Sequence, residues 1–463
     1  MMQSTPSAGS RSHRLSRRDA IRAGSLSAAA VAAGSLGTSA VAQDATPVKV
    51  AEESAMRPLL SDYEMWESFG MRALAYALDR GADFGDCVST LSRVSDGDHD
   101  AWAREWRATA DRMIALAEAA LAAGDPVSAR EAYYRASNYY RVIQYPLYGY
   151  PVDPRLVDAF EAETAAFLKG AALSDFPIEA VEIPFEGTTL PGYLVLVDDS
   201  GAPRPTIVHT NGYDSDIQEM YFAHAPAAIR RGYNILLFDG PGQGRNLIID
   251  NMHMRPDWET VVTPVIDYAL TRPEIDPEKI ALAGWSFGGW LAPRAACFEH
   301  RIAALIADPG QYDEKDAILP RLPLTEEQKA AFPNIDPSSL DEMQAYLESP
   351  DAPPMLHWSF VQRGYWVHGV NSVFDYVVEF ARYEISPYVK QINTPTFISQ
   401  AQDDSVAAFA PALYEAIEAP KVLEVFKTED GAGMHCEMLA RTLYHQKLFA
   451  WLDKTLGFDR NPG

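Results

Sequence analysis

Cysteine is nearly absent from this sequence: Cys87, Cys297 and Cys436 are the only three in 463 residues, and no two of them form a Cys-x-x-Cys pair. That excludes a disulfide scaffold and argues against a structural zinc site. Basic residues are also scarce, with 39 Lys and Arg against 64 Asp and Glu and a formal net charge of −25. Nucleic acid is therefore disfavoured as a partner, because binding it needs a cationic face that replaces counterions, and no Lys/Arg cluster follows residue 42. Long apolar runs are missing as well. Beyond the N-terminal stretch there is none of the ~18 residues that a spanning helix requires, so no membrane contact is expected of a mature chain. What is plentiful is core material, 47% hydrophobic residues in a chain longer than an average domain, enough for one large domain with helical additions.

The basic residues that do occur early have a pattern. Ser16-Arg17-Arg18-Asp19-Ala20-Ile21 is a twin-arginine stretch, followed by a mildly apolar Ala/Ser/Gly segment and a small-residue site at Ala40-Val41-Ala42. This is the composition of a Tat-type signal peptide over residues 1–42, and it predicts export to the periplasm or beyond. Cleavage there removes five arginines and one aspartate and carries the formal charge from −25 to −29. Residues 43–60 read as a linker.

From Asp62 to Lys169 the apolar residues recur at helical spacing, Trp66, Phe69, Leu74 and Leu78 among them, with turn signals at Gly81-Ala82-Asp83 and Gly124-Asp125-Pro126. The segment 104–142 resembles one tetratricopeptide-like hairpin. One copy is not a solenoid, so a helical accessory domain over 61–175 is expected. Its tyrosines, Tyr133 to Tyr150, are assigned to a closed domain interface or to a substrate entrance. After Pro177 the period changes to alternation. A hairpin, Glu179 to Phe185 and Leu190 to Val197, is followed by strands at Thr206–His209, Tyr233–Phe238 and Ile302–Ile306 with helices between them. That order predicts an α/β fold with a mostly parallel, doubly wound sheet. The alternation lapses over 311–385, a proline- and aromatic-rich stretch read as an inserted helical lid, and resumes with Pro395–Ser399, a helix from Ala410, the strand Val422–Phe426 and a terminal helix from His435 to Leu456.

The chemistry centres on Gly284-Trp285-Ser286-Phe287-Gly288. An apolar strand runs into this Gly-x-Ser-x-Gly turn and a helix leaves it, the setting of a nucleophile elbow in which glycines make room for a strained serine. Ser286 is thus a candidate nucleophile. A serine hydroxyl needs a base within reach and an acid to orient that base. Both follow in the chain order Ser, acid, His, each just after a strand: Asp404, preferred over the adjacent Asp403, and His435 in the loop Gly431-Ala432-Gly433-Met434-His435. The oxyanion hole is expected from the amides of Phe287 and Tyr213, the latter in Asn211-Gly212-Tyr213-Asp214. Trp285, Trp358, Tyr365 and Trp366 are candidates for apolar pocket walls. Asp239-Gly240-Pro241-Gly242-Gln243-Gly244 has the wrong spacing for a dinucleotide fingerprint and is assigned to structure beside the site.

Taken together, these five motifs over residues 60–457 resemble the α/β-hydrolase subfamily with an N-terminal helical domain and a lid inserted before the acid. That subfamily includes 2,6-dihydroxypseudooxynicotine hydrolase, fungal polyketide chain-shortening hydrolases and the fermentation-respiration-switch esterase group. The resemblance implies a catalytic domain over 176–310 and 386–463, the lid over 311–385, and a triad of Ser286, Asp404 and His435. It implies hydrolysis of an ester or of a carbon–carbon bond next to a ketone, in a small, largely apolar carbonyl compound, with no cofactor and no metal. Some carbon–carbon hydrolases add a carboxylate from the lid side, for which Asp313, Glu314 and Asp316 are candidates. The expected partner is a small-molecule substrate, a homodimer is compatible with the sequence, and the competing reading is a catalytically inactive, exported binding module on the same fold.

Overall fold

The computed structural model describes residues 58–460. The expected signal segment lies outside the described residues, as does most of the expected linker. The chain opens with helices α1 (Glu64–Ala75), α2 (Phe84–Leu91), α3 (His99–Ala122), α4 (Pro126–Gln144) and α5 (Pro154–Ala171). Local chemistry sets their starts. Asp98 caps α3 by accepting the Ala101 amide, and Asp125 caps α4 through Ser128, with Pro126 in the first turn where its missing N–H costs nothing. Between the helices lies an aromatic core, with Trp66 and Trp102 stacked 4.3 Å apart and Trp106 beside them. Tyr139 of α4 belongs to it, 5.5 Å from the Trp106 ring. Tyr139 and Tyr145 are fully buried, while Tyr150 is exposed, so these rings close interfaces and do not line an entrance.

The hairpin β1 (Ile178–Phe185) and β2 (Thr188–Val195) leads into β3 (Arg204–Thr210), α6 (Ile217–Ile229), β4 (Asn234–Phe238), a short α7 (Gly244–Ile248), α8 (Glu259–Ala269), β5 (Ile275–Trp285), α9 (Gly288–Ala296) and β6 (Ala304–Asp308). A helical insertion follows: α10 (Glu314–Ile318), α11 (Glu326–Ala331), α12 (Asp341–Leu347), α13 (Pro354–His357), a π-helix over Trp358–Gly364, α14 (Tyr365–His368) and α15 (Val373–Phe380). The sheet then resumes with β7 (Thr396–Ala401), α16 (Ala410–Ala416), β8 (Lys421–Phe426) and α17 (Arg441–Leu456). The eight strands run in the order β1-β2-β4-β3-β5-β6-β7-β8, antiparallel at the β1–β2 and β2–β4 pairs and parallel from β4 to β8.

The chain reverses its direction of travel across the sheet between β3 and β5, and a crevice opens beyond the carboxyl ends of strands at such a point. The terminal helix starts later than the sequence pattern predicts, at Arg441. Cys436 and Glu437 have φ values of 54° and 47°, and an α-helix cannot pass through two left-handed residues.

The helical region is bolted to the sheet by buried charge. Arg72 of α1 makes a two-pronged bond to Glu219 of α6, 2.6 Å at each oxygen, and reaches Asp214 at 3.1 Å. Arg141 of α4 adds a second cation 3.1 Å from the same Glu219, whose side chain is fully buried. Arg72→Met would leave the buried Glu219 carboxylate with one cation, Arg141, beside the Tyr76 hydroxyl, and removing half of such a buried pair costs about 3–5 kcal/mol. We expect a matching fall in the urea midpoint at unchanged m value; a midpoint within error of the parent would refute this account of the junction.

Candidate active site

Ser286 lies at the end of β5 with φ of 56°, a left-handed conformation that a side-chain-bearing residue adopts only when its surroundings impose it. The surroundings are backbone. The Ser286 amide donates to the Asp308 carbonyl at 2.6 Å, and its own carbonyl accepts from the Gly289 amide at 2.8 Å and from Gln311 Nε2 at 2.6 Å. The turn fits only because its neighbours lack side chains. A Cβ on Gly284 would sit 1.8 Å from the Gly288 carbonyl oxygen, and one on Gly212 would sit 2.8 Å from the Ser286 Cβ.

Two further strand ends bring the imidazole and the carboxylate to this point. His435 follows β8, and its Nε2 is 2.9 Å from Ser286 Oγ, while its Nδ1 is 2.7 Å from Asp404 Oδ2 in the loop after β7. The neighbouring Asp403 faces elsewhere, accepting the Thr428 hydroxyl at 2.6 Å. Burial works against the imidazolium, but the Asp404 carboxylate outweighs it by charge and by hydrogen bond and holds the His435 pKa above its ordinary 6.5. Behind the site, Arg441 ties the two loops together. Its Nη1 donates to the Asp308 carboxylate at 3.0 Å and to the Cys436 carbonyl at 2.8 Å, so the residue after the histidine is fixed to the one that accepts the Ser286 amide.

The amides of Phe287 and Tyr213 flank the serine, and neither donates to a protein acceptor among the described residues. The Tyr213 loop is braced from the stretch Asp239–Gly244: Gln243 Nε2 donates to the carbonyls of Asn211 and Gly212 at 2.8 and 3.0 Å, and Asn211 Nδ2 donates to Asp239 at 2.6 Å. That glycine-rich segment therefore has a structural task beside the site, consistent with its poor match to a nucleotide fingerprint.

A cleft of about 630 Å³, its mouth included, opens over Ser286 and is lined by Tyr213, Phe287, Tyr376, Phe380 and Phe409 with Gln311, Asp313, Glu314 and Arg363. The expected pocket tryptophans are not among its walls. Trp285 points to the opposite face of the sheet, because side chains alternate along a strand, and packs there between the His224 ring and the Arg441 guanidinium. Trp358 is fully buried against α1 and donates to the Tyr145 carbonyl at 2.5 Å, and Trp366 donates to Asn251 at 3.1 Å and packs on Tyr148. Tyr365 is buried outside the cleft. Trp358 and Trp366 fill the seam between the insertion and the helices before the sheet, where an apolar body and one polar atom both find partners.

Of the lid carboxylates, Asp316 is exposed, and Asp313 accepts the Ile385 and Ser386 amides at 2.7 and 2.9 Å. Glu314 is different. It is buried in the cleft wall, and burial pushes its carboxyl up to about 8 against the opposing pull of Arg321. Among the described residues no cluster of three or more His, Cys, Asp or Glu side chains has the geometry of a metal site.

Comparison with known proteins bears on the family. The alpha/beta hydrolase family matches residues 207–443, and the Esterase FrsA-like family matches residues 90–310. Hydrolase LUC6 of Fusarium sp is 34% identical over 423 residues, which cover 84% of this chain and 96% of the relative.

The chain belongs to the α/β-hydrolase family.

A second relative of this hydrolase, 20-hydroxy-prefusarin hydrolase FUS2 of Gibberella moniliformis, is 34% identical over 84% of this chain and 96% of its own length. The crystal structure of 2,6-dihydroxy-pseudo-oxynicotine hydrolase superposes with a TM-score of 0.64 at 22% identity, covering 83% of this chain and 95% of that one, and shares the fold. In the hydrolase the elbow glycines are sterically obligatory. Gly284→Ala drives a methyl group into the Gly288 backbone, and the expected outcome is a drop in Tm of several degrees, measured by thermal unfolding; a wild-type Tm would show that the turn can relax.

Proposed function

We propose that the protein is a serine hydrolase that cleaves an ester, or a carbon–carbon bond next to a ketone, in a small, largely apolar carbonyl compound through an acyl-enzyme. The observation that carries this reading is the unbroken relay of 2.9 Å from Ser286 Oγ to His435 Nε2 and 2.7 Å from His435 Nδ1 to Asp404. In this mechanism His435 removes the serine proton as Oγ attacks the carbonyl, and Asp404 fixes the ring orientation and stabilises the imidazolium. The Phe287 and Tyr213 amides donate to the tetrahedral oxyanion. His435 then returns the proton to the leaving group, and water repeats the sequence on the acyl-enzyme. The twin-arginine stretch supports placing this chemistry outside the cytoplasm. The substrate of the FUS2 relative, 20-hydroxy-prefusarin, supports a discrete compound as the substrate.

The carbon–carbon version is favoured by Glu314. When such a bond breaks, its electron pair stays on the departing carbon, which needs a proton. A carboxyl with a pKa of about 8 in the cleft wall is still protonated at neutral pH and can supply one in place of His435, then regain a proton from the imidazolium so that the imidazole is neutral again when water attacks the acyl-enzyme. An alkoxide leaving group needs only His435.

Replacing Ser286 with Ala should abolish labelling by a fluorophosphonate probe and reduce turnover by several orders of magnitude; a folded variant that still turns over at the parental rate ends the proposal. The pH profile gives a second test. His435 must be neutral to take the proton, so kcat/KM falls as pH drops through its raised pKa, placing the acidic limb above 6.5. Glu314 loses its proton as pH rises through about 8, so a β-diketone or acylphenol substrate should show a basic limb there that a p-nitrophenyl ester lacks. Glu314→Gln should remove that limb and lower kcat on the diketone by about 10²–10⁴-fold. Parallel losses on ester and diketone would instead assign Glu314 to packing.

A further inference from the structure

One cleft residue has no part in the chemistry above. Arg363 sits on the seven-residue π-helix Trp358–Gly364 of the insertion and is 8% exposed. A π-helical turn is an uncommon conformation that recurs at functional sites, where the wider winding re-aims a side chain. Here Trp358 faces the seam, Phe360 packs on Tyr376, and Arg363 lines the cleft. Its guanidinium is sandwiched, 4.8 Å above the Tyr213 ring and 4.5 Å from the Trp358 ring, which fixes its plane.

The hydrogen bonding of this group is incomplete. Nη1 donates to Asp214 at 2.8 Å, but Nε is buried without an acceptor and Nη2 has none among the described residues. Asp214 is also divided, since its other oxygen accepts from Arg72 at 3.1 Å. One carboxylate thus serves two cations. Among the described residues that line the cleft, Arg363 is the only cationic side chain. The other acids there do not answer it: Asp313 is engaged by two amides, and among the described residues the only ion pair of Arg363 is the one with Asp214. A rigid, half-satisfied guanidinium in an otherwise aromatic wall, in a protein of net charge −25, is a receptor for an oxygen anion supplied by the ligand.

We propose that Arg363 is the specificity residue of the cleft and binds an anionic oxygen, a carboxylate or an ionised enol, carried by the substrate away from the scissile bond. This rests on the reading of the Ser286 cleft as the substrate site, and it narrows the substrate class from apolar carbonyl compounds to those with one acidic group.

The test measures binding, so that it does not depend on turnover. Ser286→Ala protein is titrated calorimetrically at neutral pH with monomethyl adipate, whose carboxylate is free, and with neutral dimethyl adipate. A second pair sets 1,3-cyclohexanedione, an ionised enol, against neutral cyclohexanone. The same ligands are titrated into Ser286→Ala/Arg363→Gln and Ser286→Ala/Arg363→Lys, with folding verified by circular dichroism. At least one anion should bind more tightly than its neutral partner. That preference should shrink by about ten- to a hundredfold in the Gln variant, the loss expected for a hydrogen bond to a charged group, and return in part with Lys. Which anion shows the effect identifies the source of the oxygen. Equal binding of anion and neutral partner, no anion binding, or a proportional loss of both ligands in the Gln variant overturns the assignment and leaves Arg363 as a strut. Fluorophosphonate labelling of the unsubstituted protein reads the catalytic proposal separately: labelling without anion preference sinks only this inference, and Arg363-dependent anion binding without labelling sinks only the mechanism.

Discussion

The whole site depends on a steric constraint at one peptide. Ser286 is held in the left-handed region by bonds from its own amide and carbonyl to the neighbouring backbone, with one side chain, Gln311, added. Such a turn costs of order 1–3 kcal/mol, and it persists because three strand ends and a helix start are packed around it closely enough to forbid a relaxed alternative. Gly212, Gly284, Gly288 and Gly289 are each pressed within 3.0 Å of a neighbouring atom at the position a Cβ would take. The same closeness that demands glycine presses the Gly212 loop directly against the serine turn.

Electrostatics on the far side of the sheet reinforce that geometry. Arg441 is buried, stacks 4.4 Å from the Trp285 ring, and donates through Nη1 to Asp308 and to the carbonyl of Cys436 and through Nη2 to His224 Nδ1. Cys436 and Glu437 are themselves left-handed, so the histidine loop carries strain of the same kind as the serine turn. One guanidinium therefore bridges the Asp308 side chain, whose carbonyl accepts the Ser286 amide, and the backbone of the histidine loop. Burial of an arginine at this depth is tolerable because the Asp308 carboxylate, which also accepts the Ser399 hydroxyl at 2.8 Å, neutralises it.

Much of this was legible in the sequence, and the boundary between what was and was not is physical. Strand and helix periodicity located every strand of the sheet to within a few residues, because each is a short apolar run bounded by turn residues. The glycine pattern and the order of Ser286, Asp404 and His435 gave the constellation the structure brings together, since those residues sit at strand ends whatever the rest of the fold does. The cleft walls were not legible. Trp358 and Trp366 resemble pocket residues by type, but which side of a π-helix faces which layer depends on the packing of the insertion against α1 and α4, and no local period encodes that. Arg363 had no local signal at all. Tyr376 and Phe380 had a faint one, an i,i+4 aromatic pair on an amphipathic helix whose polar stripe is Asp375 and Glu379, stacked 5.5 Å apart. The late start of α17 was hidden for a related reason: nothing about Cys436 or Glu437 as residue types announces a positive φ.

The shared carboxylate of Asp214 has a consequence for the modularity of this architecture. One of its oxygens is claimed by α1 and the other by the insertion, and its own residue follows the amide of Tyr213. Three segments far apart in the chain thus meet on a single side chain next to the reaction centre. An insertion without an arginine at position 363 would lack its half of that junction, and N-terminal helices without one at position 72 would lack the other. Chimaeras in this architecture should accordingly be cut so that α1, the loop after β3 and the π-helix travel together as one inherited unit.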